Sequence, residues 1–575
     1  MRKILVLAII LSCLLPLVAQ DIWSFRNHSS GGALVDEADL AFDPIEINYL
    51  KGTTLFTNLS NMNGSDQIFK NSGSQHLLFG FVSDNCRISK NLNRALIMKY
   101  YDYQTPGAYS FMANPDMDNI SASGEYNYLW ESYSDNNGNY LYDELRSISQ
   151  NYNSMSYYKG LDFYATLGYK LKRNQRMGIK FGFLQSESGN NRSSKPLLDF
   201  ATDAPSCDCS DLIQNLPGTD PFVSEFSSLY EDKGDFDTKI EASSFYTELA
   251  YGKDMGYYQL SGGIIVNILD DKTKTQDLAN SKRYIDGIMT QLESESYENE
   301  INSKGLYSAL KLGLRETKVS AAERINEGFS VLDFQLGLYG TETDESETSE
   351  SAYKNFSTTH DRYKNTMLEN NENSGFDIHV GYRFQYPLNN RTFLGFGSSY
   401  YYLDMETEGD FDYQVSSVDS SFTSFDDAWD ETEVTSWAIS GKTKHAESKA
   451  VWKLPVGLEY WFTSNNQWAM RFGSVFTHTT INSSRAYNPD NVEPMTTTFF
   501  TPDSDPLIIV APNTYVIESE QQKSISSAAT YSYGLGYKPN KNLQIDLMGI
   551  FETANTDIWN SSFFRNLRLS FTLKM

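Results

Sequence analysis

The sequence predicts an all-β fold: an antiparallel transmembrane β-barrel of about sixteen strands (14–18), with short periplasmic turns and long external loops. Three observations predict it. The C-terminal run alternates without a fault, many earlier segments share its period, and short and long links between them alternate strictly. In the C-terminal run, Leu567, Leu569, Phe571, Leu573 and Met575 fall on one face and Arg568, Ser570, Thr572 and Lys574 on the other. A period of two is that of a strand. One greasy face and one charged face suit a wall between lipid and water.

The chain opens on Met1-Arg-Lys followed by an apolar run to Ala19, the pattern of a secretory signal peptide over 1–19. Residues 20–48 contain Ser30-Gly-Gly-Ala and Asp36-Glu-Ala-Asp-Leu-Ala-Phe-Asp-Pro-Ile. They read either as a periplasmic lead-in or as a small plug folded into the lumen. The barrel itself is expected over 49–575. Its strands centre on 50–58, 75–85, 94–104, 157–170, 176–187, 239–252, 255–269, 303–316, 328–341, 374–386, 391–405, 449–462, 466–480, 522–536, 541–553 and 565–575. Links at 170–176, 252–256, 386–391, 462–467 and 536–541 are short and carry the Asn, Pro and Gly of tight turns. Those at 105–156, 188–238, 270–302, 342–373, 406–448 and 481–521 are long, polar and expected as external loops. An even strand number places both termini in the periplasm, with the protein in the outer membrane.

Composition narrows the function. The chain holds 47 basic and 74 acidic residues; losing Arg2 and Lys3 with the signal leaves 45 against 74, a net charge of −29. Such a balance argues against nucleic acid, which rewards a basic face. Mean hydropathy is only −0.46. In a barrel, however, lumen and loop residues dilute the lipid-facing ones, and 38 Tyr with 34 Phe suit interfacial girdles. Cys86 stands alone, and Cys207 and Cys209 lie in a polar stretch where a loop disulfide is the simpler reading than a metal site.

The export signal, even parity, external loops and the terminal Leu569-Ser-Phe-Thr-Leu-Lys-Met575 are together similar to bacterial outer-membrane β-barrels of porin-like type. That resemblance implies insertion by the barrel-assembly machinery, although many members end in Phe or Trp where this chain ends in Met. It also implies contact with outer-membrane lipid and lipopolysaccharide, and a monomer or homotrimer. Within the class, Leu40-Ala-Phe-Asp-Pro-Ile45 resembles the Asn-Pro-Ala segment near the start of the long-chain fatty-acid transporter family, with Asp43 for Asn and Ile45 for Ala. Members of that family carry an N-terminal plug and typically fourteen strands.

The alternation assigns a lumen face that includes Lys180, Glu248, Lys311, Arg315, Asp377, His379, Arg383, Lys453, Glu459, Arg471, Asp546 and Arg568. Opposed charges inside a pore tune which solutes pass; the plainer reading is that they pair and fill the interior. No residue set matches a motif with a catalytic mechanism. His379 beside Asp377 is the best fragment, with no nucleophile to complete it, so no enzyme activity and no cofactor are expected. Asp135, Asn137, Asn139 and Asp143 surround a glycine turn with hard oxygen donors, a loop calcium candidate whose glycine spacing is not that of an EF-hand. The function expected is an outer-membrane channel for small polar solutes. The alternatives are a surface protein whose acidic loops bind a partner or matrix, and a transporter of hydrophobic compounds.

Overall fold

The computed structural model describes residues 25–35, 37–60, 75–84, 89–106, 108–109, 120–121, 123–132, 144–172, 174–202, 226–285, 288–316, 328–355, 359–421, 431–462, 467–501, 504–517, 519–552 and 568–575. Nineteen strands form one antiparallel sheet. Three short ones, Ser123–Ser132, Met495–Phe500 and Leu507–Ala511, extend hairpins, and the other sixteen form a ring. In chain order these are β1 Thr53–Ser60, β2 Gln75–Ser83, β3 Leu92–Pro106, β4 Glu144–Lys172, β5 Gln175–Thr202, β6 Phe226–Met255, β7 Tyr258–Ile285 and β8 Ile288–Glu316. They continue as β9 Phe329–Asn355, β10 Thr359–Asn389, β11 Thr392–Ser421, β12 Glu431–Trp461, β13 Trp468–Val492, β14 Glu520–Asn540, β15 Leu543–Glu552 and β16 Arg568–Lys574. Each pairs with the next, and β16 closes on β1 from Thr54↔Lys574 to Ser60↔Arg568. Closure leaves no edge within the ring. The first two strands belong to the wall, so the fourteen-strand pattern of the fatty-acid transporters does not apply.

The period-two reading holds along the turn-side part of each strand. On β8, Leu306, Leu310, Leu312 and Leu314 point outward and are exposed, while Tyr307 and Ala309 point inward and are buried. The outward leucines meet Leu336, Phe334 and Leu332 of β9 across the ladder. Beyond this belt, at the turn end, Trp468 stacks on Tyr537 at 4.3 Å, and Tyr257, Tyr258, Tyr386 and Phe462 are exposed. Gly256, with φ +74°, takes the left-handed conformation in the turn that joins β6 to β7.

The links at 188–238, 270–302, 342–373, 406–448 and 481–521 are not loops where they are described; they are mostly strand. β10 and β12 run to 31 residues each, about 100 Å at ~3.3 Å per residue. A membrane-spanning strand needs only about 9–11. The β9–β10 ladder continues unbroken from Phe329↔Gln385 to Asn355↔Thr359. Hydrophobic periodicity misses these parts because both faces are polar there. What pairs them is cross-strand polar contact: Lys272 with Glu300 at 2.8 Å, Lys274 with Glu298 at 2.8 Å, and Asn373 with Thr343 at 2.8 Å. Their inner face has a small core of Met367, Phe411 and Ile439.

Candidate functional site: the occupied lumen

Residues 25–35 and 37–50 lie inside the barrel at its turn end. They comprise α1 (Phe25–Ser29), α2 (Glu37–Phe42) and a 3-10 turn (Glu46–Tyr49). Ala33, Leu34 and Ile47 are wholly buried. Gly31 and Gly32 take positive φ (64° and 87°), which lets the chain reverse against the wall. The wall opposite is hollowed by missing side chains. A Cβ at Gly178 would stand 1.9 Å from the Pro44 carbonyl oxygen, one at Gly457 2.4 Å from that of Ser30, and one at Gly473 2.1 Å from the Gly31 nitrogen. These are inward positions, so the same alternation that builds the wall leaves room for the segment.

Three polar anchors hold it. At the first, Arg26 donates to both Glu459 carboxylate oxygens (Nε–Oε2 3.0 Å, Nη2–Oε1 2.8 Å) and to the Val35 carbonyl at 2.8 Å. Arg471 bridges Glu459 at 2.7 Å and Asp546 at 2.6 Å. At the second, Arg315 reaches Glu46 at 2.7 Å and Asp43 at 3.7 Å. Asp43 also accepts from the Ile45 and Glu46 amides at 2.8 and 3.0 Å, tying the turn that follows α2. At the third, Tyr49 donates to Asp254 at 2.8 Å, accepts from Gln259 at 2.6 Å and lies under Arg176, itself paired with Asp254 at 2.6 Å. Asn93 donates to the Ile47 and Leu50 carbonyls at 2.7 and 3.0 Å.

The lumen residues named from the alternation point inward wherever their side chains are described. Lys180 and Lys311 each sit 3.1 Å from Glu248, which also accepts from Tyr246 at 2.6 Å. This triad packs against α2, with the Lys180 ammonium 4.3 Å from the Phe42 ring centroid. Arg315, Glu459, Arg471 and Asp546 belong to the anchors. These charges therefore neutralise one another or hold the segment. Asp377, His379 and Arg383 share the inward face of β10, and Lys453 faces the lumen from β12. Arg383 Nε is buried and finds no hydrogen-bond acceptor. Arg568 starts β16, opposite Met548 and Ser60. Asp135, Asn137, Asn139, Asp143, Cys86, Cys207 and Cys209 lie outside the described residues. Among the described residues no cluster of three or more His, Cys, Asp or Glu is placed to hold a metal.

Sequence reasoning missed Arg26, Glu46, Tyr49, Arg176, Asp254 and Gln259. The first three sit in a segment with no strand period. The others stand beside short turns, where polar residues are expected for solvation alone.

Farther from the turn end, Tyr307, Tyr339 and Tyr401 gather on the inner wall over Asp377. Tyr307 and Tyr339 rings are 4.6 Å apart, the Tyr339 and Tyr401 hydroxyls 3.4 Å apart, and Gln335 donates to Tyr307 at 2.6 Å. Beyond the apolar belt, Arg485 of β13 pairs with Glu369 of β10 and lies 3.6 Å from Glu345 of β9, across strands that are not neighbours. Burial pushes the Glu447 carboxyl up to about 7 despite nearby Lys449. Burial, with the adjacent Asp270 charge, pushes Asp271 up to about 7.

No protein-family model matches the chain, and no curated protein matches it. Solved structures similar to it are outer-membrane proteins. The Ralstonia pickettii toluene transporter TbuX is 11% identical over 96% of this chain and 99% of its own, with a TM-score of 0.30. A Pseudomonas aeruginosa FadL homologue is 11% identical over 96% and 97%, with a TM-score of 0.27. A mutant of the ferric enterobactin receptor PfeA, also from P. aeruginosa and in complex with enterobactin, is 8% identical over 92% and 82%, with a TM-score of 0.26. The ring and its register stand on this chain's own strand pairing.

Proposed function

We propose that this chain is an outer-membrane transport barrel for small polar solutes, in which the N-terminal segment 25–50 plugs the turn end of the lumen and must shift for passage. The observation that carries the reading is the seat of that segment. It rests on missing side chains and on ion pairs that also neutralise the wall. The outward apolar belt supports a membrane location, and the short turns are assigned to the periplasmic side by analogy with bacterial barrels. No helix among the described residues is long and apolar enough to cross a membrane. The polar and tyrosine-rich inner wall above the plug supports polar solutes over hydrocarbons.

Planar-bilayer recording and solute uptake into proteoliposomes test this. The expected result is low resting conductance, raised by substitutions that loosen the plug. A purified, folded protein that neither conducts nor admits solute, with or without a loosened plug, overturns it. A second reading, a surface protein that binds a partner, is favoured by one observation: Leu507, Ile508, Ile509 and Val510 form an exposed apolar strand on the far hairpins. Loss of cell-surface binding on replacing those four by Thr and Ser, with uptake unchanged, would support it.

A further inference from the structure

Inside the apolar-belt region, buried carboxylates come with cations. Glu248 has Lys180 and Lys311, Glu459 has Arg26 and Arg471, Asp546 has Arg471, and Asp162 has Lys99 at 3.6 Å. Asp377 is the exception. It is wholly buried, no salt bridge among the described residues reaches it, and its Oδ1 has no hydrogen-bond partner. Tyr307 donates to Oδ2 only at 3.5 Å. Oδ1 lies against Gly337, where a Cβ would come within 1.9 Å of it, so the wall makes space there for the carboxylate. Over it stand the three tyrosines, with Tyr339 and Tyr401 half-buried and turned to the lumen.

We infer that Asp377 with Tyr307, Tyr339 and Tyr401 is a selectivity site for small organic ammonium ions on the solute path. An ammonium lying on the Tyr339 and Tyr401 rings gains the attraction of their π faces. The carboxylate behind them supplies the counter-charge through a dry wall, where Coulomb attraction is far stronger than in water. A neutral solute of the same shape leaves the buried charge uncompensated.

This site rests on the transport reading, and its test separates the two. Binding of choline and of its uncharged isostere 3,3-dimethyl-1-butanol to the detergent-solubilised full chain is measured by calorimetry, and choline uptake by proteoliposomes alongside. The expected result is saturable choline binding, weakened roughly tenfold to 100-fold by Asp377→Asn, since a charged contact contributes about 1.5–3 kcal/mol. Binding of the isostere should be weak and unchanged. Tyr339→Phe keeps the π face and should retain most affinity, whereas Tyr339→Ala should lose it; the Phe variant guards against a folding defect. Equal binding of choline and its isostere, or choline binding indifferent to Asp377→Asn, overturns the site even if sugars or other solutes pass. Saturable choline binding without uptake of any solute supports the site and overturns the transport reading.

Discussion

Replacing Arg26 by Ala should release the plug. The side chain makes two charge-assisted bonds to Glu459 and a third to the Val35 carbonyl, all buried. Removing one member of a buried ion pair costs about 3–5 kcal/mol because its partner is left bare. Here Glu459 keeps Arg471 at 2.7 Å and accepts from Trp461 at 3.1 Å, which puts the loss at the low end of that range. About 3 kcal/mol corresponds to roughly a 100-fold shift from docked to undocked. In planar bilayers Arg26→Ala should raise open probability by that order, and it should expose residues 25–50 to protease while the ring stays intact. A cycle with Glu459→Gln isolates the pair, since coupled residues give non-additive effects. If Arg26→Ala leaves conductance and protease resistance unchanged, or if the two substitutions add without coupling, the latch is not where the geometry puts it.

Gly473→Ala places a methyl 2.1 Å from the Gly31 nitrogen. Overpacking of this kind costs about 1–3 kcal/mol, so conductance should rise as for Arg26→Ala, whereas an added Cβ at Gly340, which has nothing within 4 Å, should leave it unchanged. The far hairpins should lose stability as pH rises. Glu447 and Asp271 keep their protons up to about 7 when folded and ionise near 4 when unfolded. Between those values the folded state binds more protons, so the contribution is full below about pH 4 and is lost as pH passes about 7. Hydrogen exchange of residues 270–302 and 431–449 at pH 5 and pH 8 should show this, and Glu447→Gln with Asp271→Asn should flatten it. Shortening the hairpin by deleting 276–298 should leave a ring of sixteen strands, read as retained heat-modifiable migration on gels, because the belt lies on the turn side of that deletion; loss of the folded band would make the far hairpin part of the ring's stability.

What the sequence made legible follows the burial contrast. The ring was readable because each strand's turn-side part alternates between an exposed face, as at Leu332, Phe334, Leu336 and Leu338, and an inner one. The far hairpins were not readable as strands. Glu342, Asp344 and Ser346 face out while Thr343, Glu345 and Glu347 face in, so both faces are polar and no hydrophobic period survives. The inward charges were likewise legible as a set, Lys180, Glu248, Lys311, Glu459, Arg471 and Asp546 among them, but not as partners. For Glu459 the partnership also depends on Arg26, 433 residues away in the chain. Inward glycines such as Gly178, Gly457 and Gly473 were the one available hint that backbone packs against the inner wall, and alternation alone gives no reason to read them so.

The anchors also say which end of the plug moves. The segment is tied to β1 through Gly52, whose φ of +79° turns the chain into Thr53. Residues 43–49 therefore stay near the wall whatever happens to their contacts. Their cation, Arg315, is 18% exposed, with Glu46 at 2% and Asp43 at 27%, against 5% and 1% for Arg26 and Glu459. The dry cluster at α1 lies at the far end of the segment from that tether. When Arg26 leaves, Arg471 still bridges Glu459 and Asp546, so the wall keeps a compensated core instead of two bare carboxylates. A barrel that had to unfold its wall to open could not cycle. In this one the expensive contact is confined to one arginine, and the rest of its cluster stays bonded when that arginine departs. The 43–49 anchor is then the hinge and Arg26 the latch.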